Sequence, residues 1–108
     1  MDSSEGNIFN IPACASKEEV FNTLFSEKNI KIEQIISSGQ ISPAEGWYDQ
    51  QHHEWVILLE GEAKLEFENK LIKTLKKGDY LMIPAHCRHK VIYTSSKPPC
   101  IWLAVFFI

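Results

Sequence analysis

Apolar and polar side chains alternate in parts of the chain after residue 30. Between residues 63 and 67, for example, the sequence reads Ala-Lys-Leu-Glu-Phe. Alternation with a period of two is typical of β-strands with one buried face, since successive side chains of a strand point to opposite faces. The segments of strand-like composition, separated by turn residues, are 30–36, 54–59, 63–67, 71–75, 80–83, 91–94 and 101–107. Many short strands in close succession predict an all-β sandwich or barrel.

The spacing of two of these segments predicts how they connect. Only Glu-Gly-Glu at 60–62 separates segment 54–59 from segment 63–67, which is the length of a short hairpin loop. We therefore expect these two strands to pair as a hairpin with one solvated face. Segment 101–107 is apolar throughout, so we expect it to be buried on both faces.

A helical pattern lies near the N-terminus. Residues 16–19 read Ser-Lys-Glu-Glu, a capping box in which the serine is the N-cap and Glu19 reaches back to it. Val20 and Leu24 follow at helical spacing. This pattern predicts one short amphipathic α-helix over residues 17–26, packed outside the barrel.

The length of 108 residues fits one domain. A hydrophobic fraction of 44% supports a buried core and argues against whole-chain disorder. We assign the first residues, 1–15, to an N-terminal tail. Residues 16–108 then form a single barrel domain that includes the helix.

Charge and cysteine usage narrow the class of protein. The net charge of −3 leaves no basic excess to neutralise phosphates, so we expect no nucleic-acid partner. The longest apolar run, Cys100 to Ile108, is too short for a membrane-spanning helix, so we expect no membrane partner. The first residues have no basic head or apolar stretch, and we expect no secretory signal. Three cysteines without framework spacing indicate reduced thiols in a cytoplasmic protein.

The candidate chemistry is concentrated in two short strings. They contain all four histidines, His52 and His53 before one strand and His86 and His89 before another. On an extended strand, His52 and Glu54 would share a face while His53 points away. Imidazole together with carboxylate suits divalent iron, manganese, nickel or zinc. The same histidines are also compatible with a simple polar loop.

The neighbouring Cys87 leaves similar alternatives open. It lies between two histidines of the second string, where a thiol can serve as a metal ligand or a nucleophile. A buried structural thiol is the commoner role of a lone cysteine.

The second string resembles the second motif of the cupin superfamily. That motif has a glycine, five residues, a proline, one residue, a glycine, two residues, a histidine, three residues and an asparagine. The spacing fits throughout, with Gly78, Pro84 and His89 at their places. His86 replaces the second glycine, and Tyr93 replaces the asparagine.

The first cupin motif is matched only at its end. Glu54 followed by six residues and Gly61 fits the spacing of the motif glutamate and glycine. The motif histidine pair has no counterpart, because counting back three or four residues from the glutamate reaches other residue types. The two registers give Tyr48 and Gln50, or Trp47 and Asp49.

A third register of the first motif includes a histidine. It places His52 at the first histidine of the motif and Glu54 at the second, and it loses the spacing to Gly61, so we prefer the first two registers. In metal-bearing cupins three histidines and one glutamate hold the metal. Glu54 and His89 match two of these ligands, and Gln50, Asp49 or His52 would have to complete the shell. With His52 the shell would have two histidines and one carboxylate, which suits ferrous iron.

The resemblance to small single-domain cupins implies a jelly-roll barrel with an interior pocket near residues 48–54 and 86–93. It leaves two functions open: a divalent-metal-dependent enzyme acting on a small polar organic molecule, or a metal-free module that binds or senses a small molecule. The expected metal ligands are Glu54, His89 and His52. The expected ligand-binding residues are Tyr48, Asp49, Gln50, His86 and Tyr93.

The apolar side chains also suggest an assembly. Trp55, Trp102 and the run 101–108 supply more large apolar groups than the interior of so small a barrel needs. We expect some of them to cover a second subunit in a homodimer.

Overall fold

The computed structural model describes residues 5–11 and 17–108, and within them it has eight β-strands and no helix. No helix of the described part is therefore long and apolar enough to cross a membrane. The strands are β1 (Val20–Glu27), β2 (Ile30–Ser37), β3 (His53–Glu60), β4 (Glu62–Phe67), β5 (Ile72–Lys76), β6 (Tyr80–Ile83), β7 (His89–Thr94) and β8 (Cys100–Phe107).

The strands form two antiparallel sheets. The larger sheet has the order β1-β2-β8-β3-β6, and the smaller has the order β5-β4-β7. The core lies between them and combines Val56 and Leu58 of the larger sheet with Leu65 and Leu75 of the smaller. The predicted all-β class is confirmed, and the arrangement is consistent with a jelly-roll barrel.

The predicted N-terminal helix is wrong. Residues 20–27 form strand β1, which pairs antiparallel with β2 from Val20↔Ile36 to Glu27↔Ile30. The segment is rich in β-branched and aromatic residues, which favour strands, and a turn at 28–29 folds it back onto β2. Pairing with a neighbouring strand outweighs the local capping signal, whose N-cap Ser16 lies outside the described residues.

The predicted hairpin between segments 54–59 and 63–67 is also wrong. Strand β3 pairs with β8 and β6, whereas β4 pairs with β5 and β7 in the other sheet. The pairing of β3 with β8 shifts register between Leu58 and Glu60, and Gly61 then adopts a φ of +92°. This left-handed conformation, which glycine adopts readily, takes the chain from one sheet into the other.

Strand β8 lies at the centre of the larger sheet, between β2 and β3. Its inward residues Trp102 and Ala104 are buried in the core, and the Trp102 indole Nε1 donates a hydrogen bond to Ser37 Oγ at 3.1 Å. Leu103 and Val105 point outward and are half-buried. Trp102 therefore belongs to the protomer core, and a contact with a second subunit would fall to other members of the predicted set.

Candidate functional site

A small cavity lies between the two sheets. Its volume is about 110 Å³, below the usual range of pockets for drug-sized ligands. Most of its wall is apolar, and the side chains of Val56, Leu65, Ile83, Val91 and Trp102 contribute to it. The polar residues of the lining are Glu19, Tyr48, Gln50, Glu54 and His89.

Glu54 and His89 face each other in this cavity. Glu54 shares the inward parity of Val56 on β3, and His89 opens β7 opposite Phe67 of β4. Oε1 of Glu54 lies 3.8 Å from Nε2 of His89. The predicted proximity of these two side chains is thus observed, while their role as ligands stays a prediction.

Burial controls the protonation of Glu54. The side chain is enclosed by apolar wall, which disfavours the carboxylate and raises the pKa of Glu54 to about 7. A hydrogen bond from the Gln50 side chain lowers the pKa, and the nearby charge of Glu33 raises it. Near neutral pH, Glu54 therefore exists in both its protonated and its ionised form.

His89 is held in one orientation by its backbone neighbour. Burial lowers the pKa of His89, and a hydrogen bond with the Cys87 carbonyl opposes that shift. Nδ1 of the ring lies 2.9 Å from the Cys87 oxygen. Because a carbonyl only accepts, Nδ1 is the donor, and Nε2 of the neutral ring presents a lone pair towards Glu54.

Tyr48 and Gln50 approach this pair from the loop before β3. The amide of Tyr48 donates to the His89 carbonyl at 2.7 Å, and its ring stacks on the imidazole with centroids 5.4 Å apart. Burial raises the pKa of the Tyr48 phenol, with smaller contributions from the charges of Glu19 and Glu54. Both predicted residues line the cavity, which supports the register that places Tyr48 and Gln50 at the motif histidines.

Asp49 and His86 lie outside the cavity lining, so the structure does not place these two predicted ligand contacts inside it. Asp49 Oδ1 is 2.9 Å from His86 Nδ1, and both side chains are exposed. The His86 amide donates to the Gln50 carbonyl at 2.8 Å. Because alternate residues of an extended segment face opposite ways, Asp49 points outward, and this pair joins the two loops that carry the cavity residues.

His52 does not join Glu54 and His89. It precedes β3, so the alternation of the strand does not extend to it, and it lies in a groove beside the cavity. Its ring packs edge-on against Phe106 with centroids 5.1 Å apart, and its buried Nδ1 has no hydrogen-bond partner. The expected three-residue metal set is therefore not formed by these side chains.

Tyr93 is also misplaced by the sequence prediction. It lies on β7 opposite Lys64 of β4 and is 42% exposed, on the face of the small sheet that points away from the cavity. A register shift between Lys64 and Leu65 separates it from the inward parity of Val91.

Glu19 and Phe106 also line the cavity, and neither was predicted from the sequence to do so. Glu19 enters the cavity from the segment before β1, where its Oε2 accepts a hydrogen bond from Ser37 Oγ at 2.5 Å. Phe106 closes the end towards His52. The place of Phe106 could have been predicted, because it shares the inward parity of Trp102 on one strand. Glu19 carried no such signal, since its sequence context predicts a helix cap.

Comparison with known proteins agrees with this geometry. The family model for the cupin domain matches residues 33–106. The chain is a cupin. As predicted, it resembles the small single-domain members of that superfamily.

Solved structures place this cupin among close and distant relatives. A protein from Ralstonia eutropha JMP134, described as a candidate mannose-6-phosphate isomerase, is 41% identical, with 95% of this chain and 96% of that chain covered and a TM-score of 0.91. A cupin superfamily protein from Desulfitobacterium hafniense DCB-2 is 18% identical, with coverage of 90% and 84% and a TM-score of 0.75. An RmlC-like cupin from Desulfovibrio desulfuricans is 18% identical, with coverage of 99% and 96% and a TM-score of 0.74. No curated protein matches the chain.

The residues of this cupin do not fit the metal set of its superfamily. In the register that the cavity lining supports, Tyr48 and Gln50 stand at the places of the two motif histidines. The Tyr48 ring stacks on His89, and the Gln50 side chain hydrogen-bonds to Glu54. Within residues 5–11 and 17–108, no group of three histidine, cysteine, aspartate or glutamate side chains is arranged to hold a metal ion. Two strong ligands are fewer than the three that protein sites for these metals supply.

Cys87 does not enter the cavity lining either. Its side chain is half-buried and packs against the core, which favours the structural role over that of ligand or nucleophile.

Proposed function

We propose that this cupin binds a small, largely apolar organic molecule in its interior cavity, without a metal. The observation that carries the proposal is the buried Glu54–His89 pair in a largely apolar cavity of about 110 Å³. Ionisable groups are costly to bury, and a pocket with a few convergent polar groups is typical of ligand recognition. This is the metal-free alternative, and the mismatch in metal ligands favours it over the metal-dependent enzyme.

The cavity dimensions and chemistry restrict the ligand. An apolar protein cavity of about 150 Å³ accommodates benzene, so this smaller cavity of about 110 Å³ limits the enclosed part of a ligand to at most a single small ring or a short branched chain. One polar group of the ligand would meet Glu54 and His89. The protonated carboxyl can donate to it and the His89 lone pair can accept from it.

A phosphosugar suits the cavity poorly, although the relative from Ralstonia eutropha is described as a candidate for such chemistry. The described lining contains no lysine or arginine, whereas Glu19 and Glu54 both face the cavity. Carboxylates repel a phosphate dianion, and nothing in this lining offers it a charge-assisted hydrogen bond.

The thiols of the described residues support a cytoplasmic location. Cys87 and Cys100 are both free, and unpaired cysteines are usual in reducing compartments. We assign the protein to the cytoplasm.

Phenol and benzene provide a matched pair of probes for the cavity. We expect phenol to shift the backbone amide signals of Glu54, His89 and Val91 in NMR spectra, and benzene to shift them less, since it lacks a hydroxyl. Val91→Phe should abolish both effects by filling the cavity. Ile72→Phe, on an exposed position of β5, is the control and should bind as wild type does. Wild-type spectra unchanged by either probe, or equal shifts in the Val91→Phe variant, would contradict the proposal.

A further inference from the structure

Three acidic side chains lie in or beside the cavity. Glu19 and Glu54 belong to its lining. Glu33 lies on β2 opposite Ala104 of β8, which is buried in the core, so Glu33 points to the same inner side of the sheet. Glu33 is 7% exposed, and its charge is close enough to raise the pKa of Glu54. The three carboxyl groups therefore act on one enclosed volume.

One lysine approaches these carboxyl groups from the solvent. The Lys31 Nζ lies 2.9 Å from Oε2 of Glu33, but the Lys31 side chain is 47% exposed and does not line the cavity. Glu19 has a neutral hydrogen-bond partner in Ser37, and the described lining contains no lysine or arginine. Because charges interact strongly where water is excluded, the ionised carboxyl groups favour a cation in the cavity.

Aromatic rings form another part of the cavity wall. The described lining includes Phe21 of β1, Tyr48 of the loop before β3, and Trp102 and Phe106 of β8. The face of an aromatic ring is electrostatically negative and attracts a cation that lies within about 6 Å of the ring centre. Carboxylates and aromatic rings in one wall thus favour a positively charged group over a neutral group of the same shape.

On the basis of the proposed function, we propose that the ligand of this cavity is a small organic cation in which methyl groups surround the charged nitrogen. A trimethylammonium group is a short branched unit, which is the kind of group that a cavity of about 110 Å³ can enclose. Aromatic side chains recognise such quaternary ammonium groups in proteins of many kinds.

Methylation of the nitrogen suits this wall better than a primary amine does. A primary ammonium group has three N–H donors that need acceptors, whereas the aliphatic part of the wall, which includes Val56 and Val91, offers none. A donor left without a partner in an enclosed cavity costs free energy. Methyl groups avoid this cost, and a hydroxyl on the fourth substituent of the nitrogen can meet Glu54 and His89.

Choline and 3,3-dimethylbutan-1-ol test the charge. The two molecules have the same shape and the same hydroxyl, and they differ in having nitrogen or carbon at the branched centre. Titrations followed by the backbone amide NMR signals of Glu54, His89 and Val91 give the dissociation constant of each. We expect wild type to bind choline roughly tenfold more tightly than the alcohol, since the aromatic rings and the carboxylates both favour the cation.

Two substitutions separate the effect of charge from that of shape. Glu19→Gln removes a carboxylate and keeps an acceptor for Ser37, and Phe106→Leu removes a ring and keeps an apolar side chain. Each should weaken choline binding by roughly threefold to tenfold and change the binding of the alcohol less. Glu68→Gln, which changes an exposed carboxylate paired with Arg88, is the control and should bind both molecules as wild type does. Circular dichroism verifies the fold of each variant.

The outcomes separate this proposal from the proposed function. Equal affinity of wild type for choline and for the alcohol would overturn the cationic ligand and leave a cavity for neutral molecules. So would binding of phenol without binding of choline. Failure of all four probes, phenol and benzene included, would overturn the proposed function as well. Equal losses of affinity for choline and the alcohol in both variants would also contradict the cationic ligand, and if one variant fails to fold, the other decides.

Discussion

Oε1 of Glu54 and Nε2 of His89 lie 3.8 Å apart in a largely apolar cavity, and their side chains are only 10% and 6% exposed. Burial raises the pKa of Glu54 to about 7 and lowers the pKa of His89. Both shifts favour the uncharged forms, so the two groups do not form a stable ion pair. The protonated Glu54 carboxyl offers a hydrogen-bond donor and His89 Nε2 an acceptor. The fraction of Glu54 that is protonated changes near neutral pH.

The raised pKa of Glu54 makes stability depend on pH. The stabilisation from holding this proton in the folded state is fully present below the ordinary value of 4.5 and is lost as the pH rises through about 7. Over that window the free energy of unfolding should fall by roughly 3 kcal/mol. Glu54→Gln, neutral at every pH, should lack this loss. Urea unfolding at about pH 5 and about pH 8 measures the difference.

The matched control is Glu68→Gln, which changes a half-exposed carboxylate paired with Arg88. Its pH dependence should follow that of wild type. If wild type and Glu54→Gln have the same pH dependence, the Glu54 carboxyl does not retain its proton on folding.

The Gln50 side chain should tune the same titration. Its hydrogen bond favours the ionised carboxyl, so Gln50→Leu, of similar volume, should raise the pKa of Glu54 further. The carboxyl carbon of Glu54 reports this directly in a ¹³C NMR titration. Asp49→Asn is the control, because Asp49 pairs with His86 outside the cavity. An unchanged titration in the Gln50→Leu variant would argue against this hydrogen bond.

The positions of the strands could be predicted because the hydrophobic pattern that marks a strand lies within the segment itself. A period of two identifies a strand wherever one face is buried, and it correctly located segment 63–67, while the continuous apolar run located segment 101–107. The hydrophobic pattern does not identify the partner of a strand. The sequence therefore wrongly predicted that β3 and β4 pair as a hairpin. The helix was wrong for a related reason: a capping box at 16–19 is a local preference, whereas the pairing of β1 with β2 is not visible in either segment alone.

The two site residues that were predicted from matched places of the cupin motifs were placed correctly. A residue predicted by extending strand alternation beyond the strand was not. Glu54 and His89 were found by their motif places, and they meet. His52 was assigned to the face of Glu54 by assuming that the strand begins earlier than His53. Tyr93 was assigned by spacing alone, and the register shift in β7 turns it outward.

The crossing between the two sheets at Gly61 should tolerate no side chain. A Cβ there would lie 2.8 Å from Ser95 Oγ and 2.9 Å from Cys100 Cα, and the φ of +92° is itself unfavourable for other residues. Gly78 has a φ of +93° with nothing within 4 Å of its Cβ position. Gly78→Ala should therefore cost about 1–2 kcal/mol from backbone strain alone. Gly61→Ala should cost several kcal/mol by urea unfolding. Equal losses of unfolding free energy in the two variants would show that the close contact of a Cβ at Gly61 with Cys100 of β8 is relieved without cost.

Metal binding should be absent in wild type and recoverable by substitution. The family's histidine places hold Tyr48 and Gln50, so replacing both with histidine (Tyr48→His with Gln50→His) would complete a set of three histidines and one glutamate around Glu54 and His89. Metal at a hundredfold excess over its dissociation constant stabilises a folded site by about 2.7 kcal/mol, or roughly 10 °C in melting temperature for a chain of this size. We expect such a rise with iron, manganese, nickel or zinc in the double variant, and equal melting of wild type with chelator and with each metal. The double variant with His89→Ala added should lose the rise, which ties it to this site. A metal-dependent rise in wild type would show that two protein ligands suffice and would restore the metal-dependent enzyme.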